Sequence, residues 1–331
     1  MAGSRASVGI ISIGDMGLGI AKLLQAHNYH ILTTCAGRRL ASLLTSSIVP
    51  ATQRRVESAS IELLPDHVQL VNRSDYLLAI VPPRDAAATA EAIIAAYQQH
   101  TRPASSNQLY YLDLNAIAPS TARAISAVFA TKAPTIRFID GGIIGGPPSL
   151  APSTSPTAPV TWKRPSIPLS GPHELASAPN SGAHLAATLR TKHLSPDVGT
   201  ASGLKACFAS LTKGYTALAI QSFSTASQLG VLDDLLREMD AANPLGRQRA
   251  ERGLVGMPNK AYRWVAEMDE IGKTFDEDGG WGGESVYKQV AGVYRVVADD
   301  TELGSREGKM EVQEVVDGLV RGLKARKEKT D

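Results

Sequence analysis

The chain has 331 residues, 43% of them hydrophobic and 20% charged, with 34 Lys+Arg against 32 Asp+Glu. That is the composition of a soluble globular protein long enough for two domains of ordinary size. A formal net charge of +2 excludes a polyanion binder held by bulk charge, so no nucleic-acid partner is expected.

Two cysteines, Cys35 and Cys207, exclude a disulfide framework and a four-cysteine zinc site, and point to a reducing, cytoplasmic setting. The opening MAGSRAS runs straight into VGIISIG without the order of a signal peptide. No apolar run reaches the roughly 18 residues of a membrane span, so no membrane partner is expected.

In chain order, VGIISI (8–13), HILTT (30–34), YLLAIV (76–81), LYYLDL (109–114) and IRFIDG (136–141) read as strands. Their near-continuous hydrophobicity suits a parallel sheet covered on both faces. Helical patterns lie between them at 19–26, 36–45, 85–99 and 119–130, and the alternation predicts a doubly wound α/β domain of Rossmann type. The stretch 145–172 is dense in Pro, Ser and Thr, which marks a surface insertion near 149–166. IPLSG (167–171) reads as a further strand, followed by an edge helix and a strand within 173–197.

Past Pro196 strands give way to helices. Residues 201–229 form one pattern of more than seven turns, and Ala261, Trp264, Val265, Met268, Ile271 and Phe275 make an apolar stripe at spacings of three and four. The expected division is a nucleotide-binding domain at 1–195 and an all-α domain at 196–331.

The segment VGIISIGDMGLGIA (8–21) carries a strand into a glycine turn and then a helix, which is the setting of a dinucleotide site. Ser12, Ile13, Gly14, Asp15, Met16 and Gly17 form the turn. Gly14 lets a pyrophosphate approach the backbone, Gly17 lets helix and strand pack, and the helix amides meet the phosphate charge. Ser12 stands where the first glycine of G-x-G-x-x-G belongs, and a serine is expected to fit such a turn only at negative φ. At the end of the second strand TTCAGRR (33–39) has no acidic residue to accept from a ribose 2′-hydroxyl. Arg38 and Arg39, helped by Thr34, are placed to pair with a 2′-phosphate, so NADP is expected over NAD.

The seven histidines show no HExxH and no clustering with acids, so no metal site is expected. No G-x-S-x-G elbow occurs. Glu267, Asp269 and Glu270 read as a solvated helix face.

GIISIGDMGLGIAKLL resembles the N-terminal signature of the β-hydroxyacid dehydrogenases and 6-phosphogluconate dehydrogenases, with Met16 before Gly17. AIVPP (79–83), DGGIIGGPP (140–148) and GTASGLKACFASLTKG (199–214) resemble three further segments in the same order. DLNAIAP (113–119) and RWVAEMDEI (263–271) resemble a branch whose 6-phosphogluconate dehydrogenase-like C-terminal domain has no assigned function.

The resemblance implies that Val81, Pro82 and Pro83 cover the nicotinamide side, and that Gly142, Ile143, Ile144 and Gly145 form a substrate loop. It also implies that Lys205 is the catalytic general acid and base. A lysine in an apolar cleft loses the advantage of its charge and exchanges protons at working pH. Two positions depart from the pattern: Ile144 replaces a carboxylate-holding serine, and Ala209 replaces a substrate-contacting asparagine. Asn115, toward cofactor and substrate, and Thr212, on the Lys205 face at i+7, are the replacement candidates, with Lys213 as a second cation.

The expected function is NADP-dependent hydride transfer between the nicotinamide and a small hydroxyl or carbonyl substrate, in a homodimer. The competing readings are imine reduction and a non-catalytic NADP-binding regulator.

Overall fold

The computed structural model describes residues 4–35, 48–101, 108–152, 161–306 and 308–329. The chain separates into two compact units, Met1–Lys205 and Ala206–Asp331.

The first unit is built on an eight-stranded sheet. Its strands are β1 (Ser7–Ile11), β2 (His30–Thr34), β3 (Glu62–Leu64), β4 (Tyr76–Ala79), β5 (Tyr110–Asp113), β6 (Arg137–Gly141), β9 (Ile167–Ser170) and β10 (Thr191–His193), in the order β10-β9-β6-β5-β4-β1-β2-β3. All neighbours are parallel except β6 and β9, where the chain returns antiparallel with Asp140 opposite Ser170. Between β6 and β9 the insertion rests on a short antiparallel pair, β7 (Ser149–Leu150) with β8 (Trp162–Lys163); its residues 153–160 lie outside the described ones.

Alternation explains why both faces are covered. Val8, Ile10, Tyr76, Leu78 and Leu112 enter one buried cluster, while Ile11, Leu77, Ala79 and Tyr111 enter another. Successive side chains of a strand point to opposite faces, so a run apolar at every position must bury both. Among the described residues the crossover helices are α1 (Asp15–Gln25), α2 (Ile48–Ser58), α3 (His67–Arg73), α4 (Ala86–Gln98) and α5 (Pro119–Lys132), with α6 (Gly182–Leu189) before β10.

The sequence pattern places five inner strands and the strand at 167 correctly. It misses β3, which has only three residues, and α2 and α3, whose segments mix polar residues through short apolar spacings. Helix α1 starts at Asp15, ahead of the expected Gly19, because Gly14 is its N-cap. The helix expected at 36–45 lies outside the described residues.

The order reverses at β1, which has β4 on one side and β2 on the other. In open α/β sheets such a switch point leaves a crevice beyond the carboxyl ends of the strands. The segments that follow β1 and β4 therefore flank it.

The second unit is helical. It contains most of α7 (Thr200–Gln228), then α8 (Leu232–Ala242), α9 (Pro244–Gly256), α10 (Ala261–Glu277), α11 (Tyr287–Asp299) and α12 (Val312–Glu328). The stripe foreseen on 261–275 is consumed by this unit's own core: Ala261, Met268 and Ile271 are buried, and Trp264, Val265 and Phe275 pack against them. Gly253 lets α9 approach α7, since a Cβ there would lie 2.5 Å from the Thr216 hydroxyl. Among the described residues no helix is long and apolar enough to cross a membrane.

Candidate active site

The turn after β1 is held by packing. Ser12 has φ +80°, the left-handed region, against the expectation of a negative φ. The reason lies in Gly17: a Cβ there would collide with the Ser12 carbonyl oxygen and lie 3.5 Å from Ile10. Close apposition of helix and strand fixes the turn, and serine accepts the backbone that glycine adopts without strain. Ile13 is buried, Met16 packs on the core beneath the turn, and Asp15 is exposed.

Gly14 is the N-cap of α1 in extended conformation, with no side-chain cap. A Cβ built on Gly14 meets nothing within 4 Å. The first amides of the helix thus face open space at its positive end, an arrangement that fits a pyrophosphate. Thr34 is buried at the end of β2. Arg38 and Arg39 lie outside the described residues, as does the helix opening that they were expected to form.

Across the switch point, the segments after β4 and β5 are tied together. The Val81 backbone N–H donates to the Asn115 side-chain oxygen at 2.7 Å, and the Asn115 N–H donates to Asp113 Oδ1 at 3.1 Å. Pro82 and Pro83 follow Val81 into a short 3-10 turn. Asn115 is only 2% exposed, and its amide nitrogen has no hydrogen-bond partner. A buried NH2 group whose oxygen is already pinned keeps donor capacity for a further acceptor, and the Asp113 carboxylate lies beside it.

Asp113 is fully buried, with Oδ2 unpartnered. Burial pushes its carboxyl up to about 7; the Asn115 N–H works against this, and the neighbouring Asp140 adds to it. Burial raises the Tyr111 hydroxyl well above its usual range, and Asp113 contributes.

Strand β6 ends in the loop that carries Gly142, Ile143, Ile144 and Gly145. Asp140 closes the start of α7: Oδ2 accepts from Ser170 Oγ at 2.8 Å, Gly199 N at 2.9 Å and Ser202 N at 3.3 Å, and Oδ1 accepts from Ser202 Oγ at 2.5 Å. Ser170 Oγ in turn accepts from Ala201 N at 3.0 Å. A carboxylate at a helix N-terminus meets orphan amides and the dipole together.

Five residues into that helix, Lys205 lies directly over Gly142: a Cβ on Gly142 would sit 2.7 Å from the Lys205 Cβ and 3.1 Å from its Cγ. Ile143 is buried in the core. Ile144 exchanges backbone hydrogen bonds with Ser166 at 2.8 and 3.0 Å. Gly145 has φ +127°. At the loop's far end Pro147 and Pro148 pack on α1, where a Cβ on Gly19 would lie 3.1 and 3.0 Å from them. One loop thus touches both the glycine-turn helix and the lysine helix.

A family model described as a domain of unknown function, DUF1932, matches residues 226–297. No curated protein matches the sequence. Among solved structures, the chain is similar to a conserved hypothetical protein from Sinorhizobium meliloti 1021, at 20% identity over 96% of this chain and 97% of that one, TM-score 0.59. It is also similar to Mycobacterium tuberculosis 3-hydroxyisobutyrate dehydrogenase with L-serine, at 12% identity over 95% and 99%, TM-score 0.58.

The fold is that of the 3-hydroxyacid dehydrogenases. An imine reductase from Myxococcus stipitatus in complex with NADP+ matches as well, at 16% identity over 95% and 99%, TM-score 0.50. The resemblance read from the sequence is borne out at the level of fold.

Within this 3-hydroxyacid dehydrogenase fold, the remaining expected residues belong to the second unit. Ala209 is buried in the helical core. Thr212 is exposed, and its hydroxyl returns to its own helix, donating to the carbonyls of Ala209 at 3.1 Å and Phe208 at 3.5 Å. Lys213 is buried on Glu267, Nζ to Oε2 2.6 Å, and lies 5.1 Å from the Trp264 ring centroid, while its carbonyl accepts from Tyr294. Glu267 is therefore a partner in a largely buried ion pair, against the solvated face expected for it together with Asp269 and Glu270. No cluster of three or more metal-ligating side chains occurs among the described residues.

Sequence reasoning passed over Asp113, Asp140, Ser170 and Ser202. The available signal was an aspartate directly after the apolar runs LYYL and FI, where a charge needs a stated partner.

Proposed function

We propose that the protein is an NADP-dependent oxidoreductase that moves hydride between a nicotinamide and a small hydroxyl or carbonyl substrate, with Lys205 as general acid and base. The observation that carries this reading is the loop at 141–148, which rests on α1 at Gly19 and supports the Lys205 stem at Gly142. It links a dinucleotide-shaped cradle to a basic side chain within one unit. Asn115, whose side chain ties the segment after β4 to that after β5, is the proposed side-chain contact to cofactor or substrate. The preference for NADP rests on the absence of an acidic residue in 33–39 and on the arginines of that segment.

The cofactor supplies the hydride acceptor or donor at its nicotinamide ring. In the oxidation direction Lys205, as free amine, takes the hydroxyl proton while the carbon gives up hydride. In reduction the ammonium returns that proton to the oxygen. Ile144 offers no side-chain hydrogen bond to a carboxylate, so the proposed substrate class is a carbonyl compound held chiefly by apolar contact.

Fluorescence titration with NADPH and with NADH tests the cofactor half. Tighter binding of NADPH is the expected result; if neither dinucleotide binds, the oxidoreductase reading fails and a non-catalytic role replaces it. A carbonyl and imine screen then tests the chemistry. On a carbonyl substrate, Lys205→Ala lowers turnover by about 10²–10⁴ with cofactor affinity retained, and equal rates would remove Lys205 from the mechanism. Turnover of imines alone would favour C=N reduction.

A homodimer is part of the proposal, supported by the exposed apolar side chains Phe208, Leu211 and Leu218 on α7. Sedimentation as a monomer at micromolar concentration would delete it.

A further inference from the structure

We infer that Arg55 is the cation that takes the phosphates of the dinucleotide, exchanging Asp15 for them; this rests on the cofactor reading above. Arg55 lies on α2, which connects β2 to β3, and its guanidinium reaches the glycine turn. Nη1 donates to the Ile13 carbonyl at 3.3 Å and Nη2 to Asp15 Oδ1 at 2.9 Å. Those two residues bracket Gly14, the position whose missing Cβ leaves open space. A planar cationic fork therefore stands at the rim of an uncapped helix N-terminus that has room for an anion.

The pairing with Asp15 is of a kind that can be exchanged. The side chains of Arg55 and Asp15 are 40% and 70% exposed, and exposed ion pairs hold weakly. Asp15 in the first turn of α1 offers the helix dipole a negative charge. A phosphate arriving at the same amides brings more charge, and the Asp15 carboxylate repels it unless Arg55 stands between them. Guanidinium binds phosphate through two parallel N–H donors, a geometry that one carboxylate oxygen of Asp15 does not use. Arg55 changes partner, and Asp15 turns to solvent.

Two phosphate sources share this chemistry, the pyrophosphate of either dinucleotide and the 2′-phosphate of NADPH alone. NADPH and NADH titrations of wild type, Arg55→Ala, Arg55→Lys and Asp15→Asn separate them. Arg55→Ala is expected to weaken binding about tenfold, Arg55→Lys to recover part of the loss, and Asp15→Asn to tighten binding about threefold. Equal loss for both dinucleotides assigns Arg55 to the pyrophosphate, and loss for NADPH alone assigns it to the 2′-phosphate.

Arg55→Ala that keeps the wild-type circular dichroism and melting temperature, yet binds both within twofold of wild type, overturns the assignment. So does an Asp15→Asn variant that binds more weakly than wild type. If wild type itself binds neither dinucleotide, the cofactor reading falls first and the assignment falls with it.

Discussion

Gly142 and Lys205 are in contact through the absence of a side chain: the glycine backbone passes where a Cβ would lie 2.7 Å from the lysine Cβ. Gly142→Ala must push the lysine stem or the β6 loop aside, at a cost of about 1–3 kcal/mol for overpacking. The expected outcome is a fall in turnover well beyond the change in NADPH affinity. Kinetics on a screened carbonyl substrate, with a parallel NADPH titration, check it; unchanged turnover would mean that the lysine position is irrelevant to the reaction.

Asp140 holds the first turn of that same helix. Asp140→Asn replaces an acceptor facing the Ser170 and Ser202 hydroxyls and the Gly199 and Ser202 amides with a group that is half donor. A loss of about 2–3 kcal/mol in unfolding free energy is expected, measured by urea denaturation. Ser202→Ala, which removes one donor, should cost less than Asp140→Asn.

Asp113 makes stability depend on pH in a stated direction. Its folded-state value of about 7 lies above that of an unfolded aspartate, so between roughly pH 4 and 7 the folded chain holds the proton that the unfolded chain has released. That stabilisation is complete at the acid end and is lost as pH rises through 7. Melting temperatures of wild type and Asp113→Asn at pH 5 and pH 8 test this: the variant should gain on wild type at the higher pH. A constant difference across the range would show that Asp113 does not titrate there.

Ser12 at φ +80° carries strain that glycine does not. Ser12→Gly is expected to raise stability by about 1 kcal/mol, reduced by the extra freedom glycine gives the unfolded chain. Thermal unfolding measures it, and dinucleotide affinity should stay within a few-fold because the turn keeps its shape. A large fall in affinity would assign the Ser12 hydroxyl to the cofactor.

Breaking the Lys213–Glu267 pair separates a structural from a functional role for Lys213. With side chains 10% and 16% exposed, the pair leaves a nearly buried carboxylate behind when Lys213 becomes Met. A loss of about 3 kcal/mol is expected, read by denaturation, with NADPH affinity unchanged.

The sequence by itself determined where the inner strands fall along the chain, the glycine turn, the long helix read at 201–229 and the position of Lys205 upon it, because each is written as a local pattern of apolar period or glycine spacing. It also marked Asn115 as a candidate without showing why. The tertiary structure decided what those residues meet. Asp113 and Asp140 are adjacent across β5 and β6 but far apart in the chain, so nothing local marks one as a buried acid and the other as a helix anchor. The fit of Gly142 to Lys205, of Gly19 to Pro148 and of Arg55 to the glycine turn likewise depends on which strands lie side by side. Periodicity encodes which face of an element is buried, whereas side-chain pairing between elements distant in sequence follows only from how the sheet orders them.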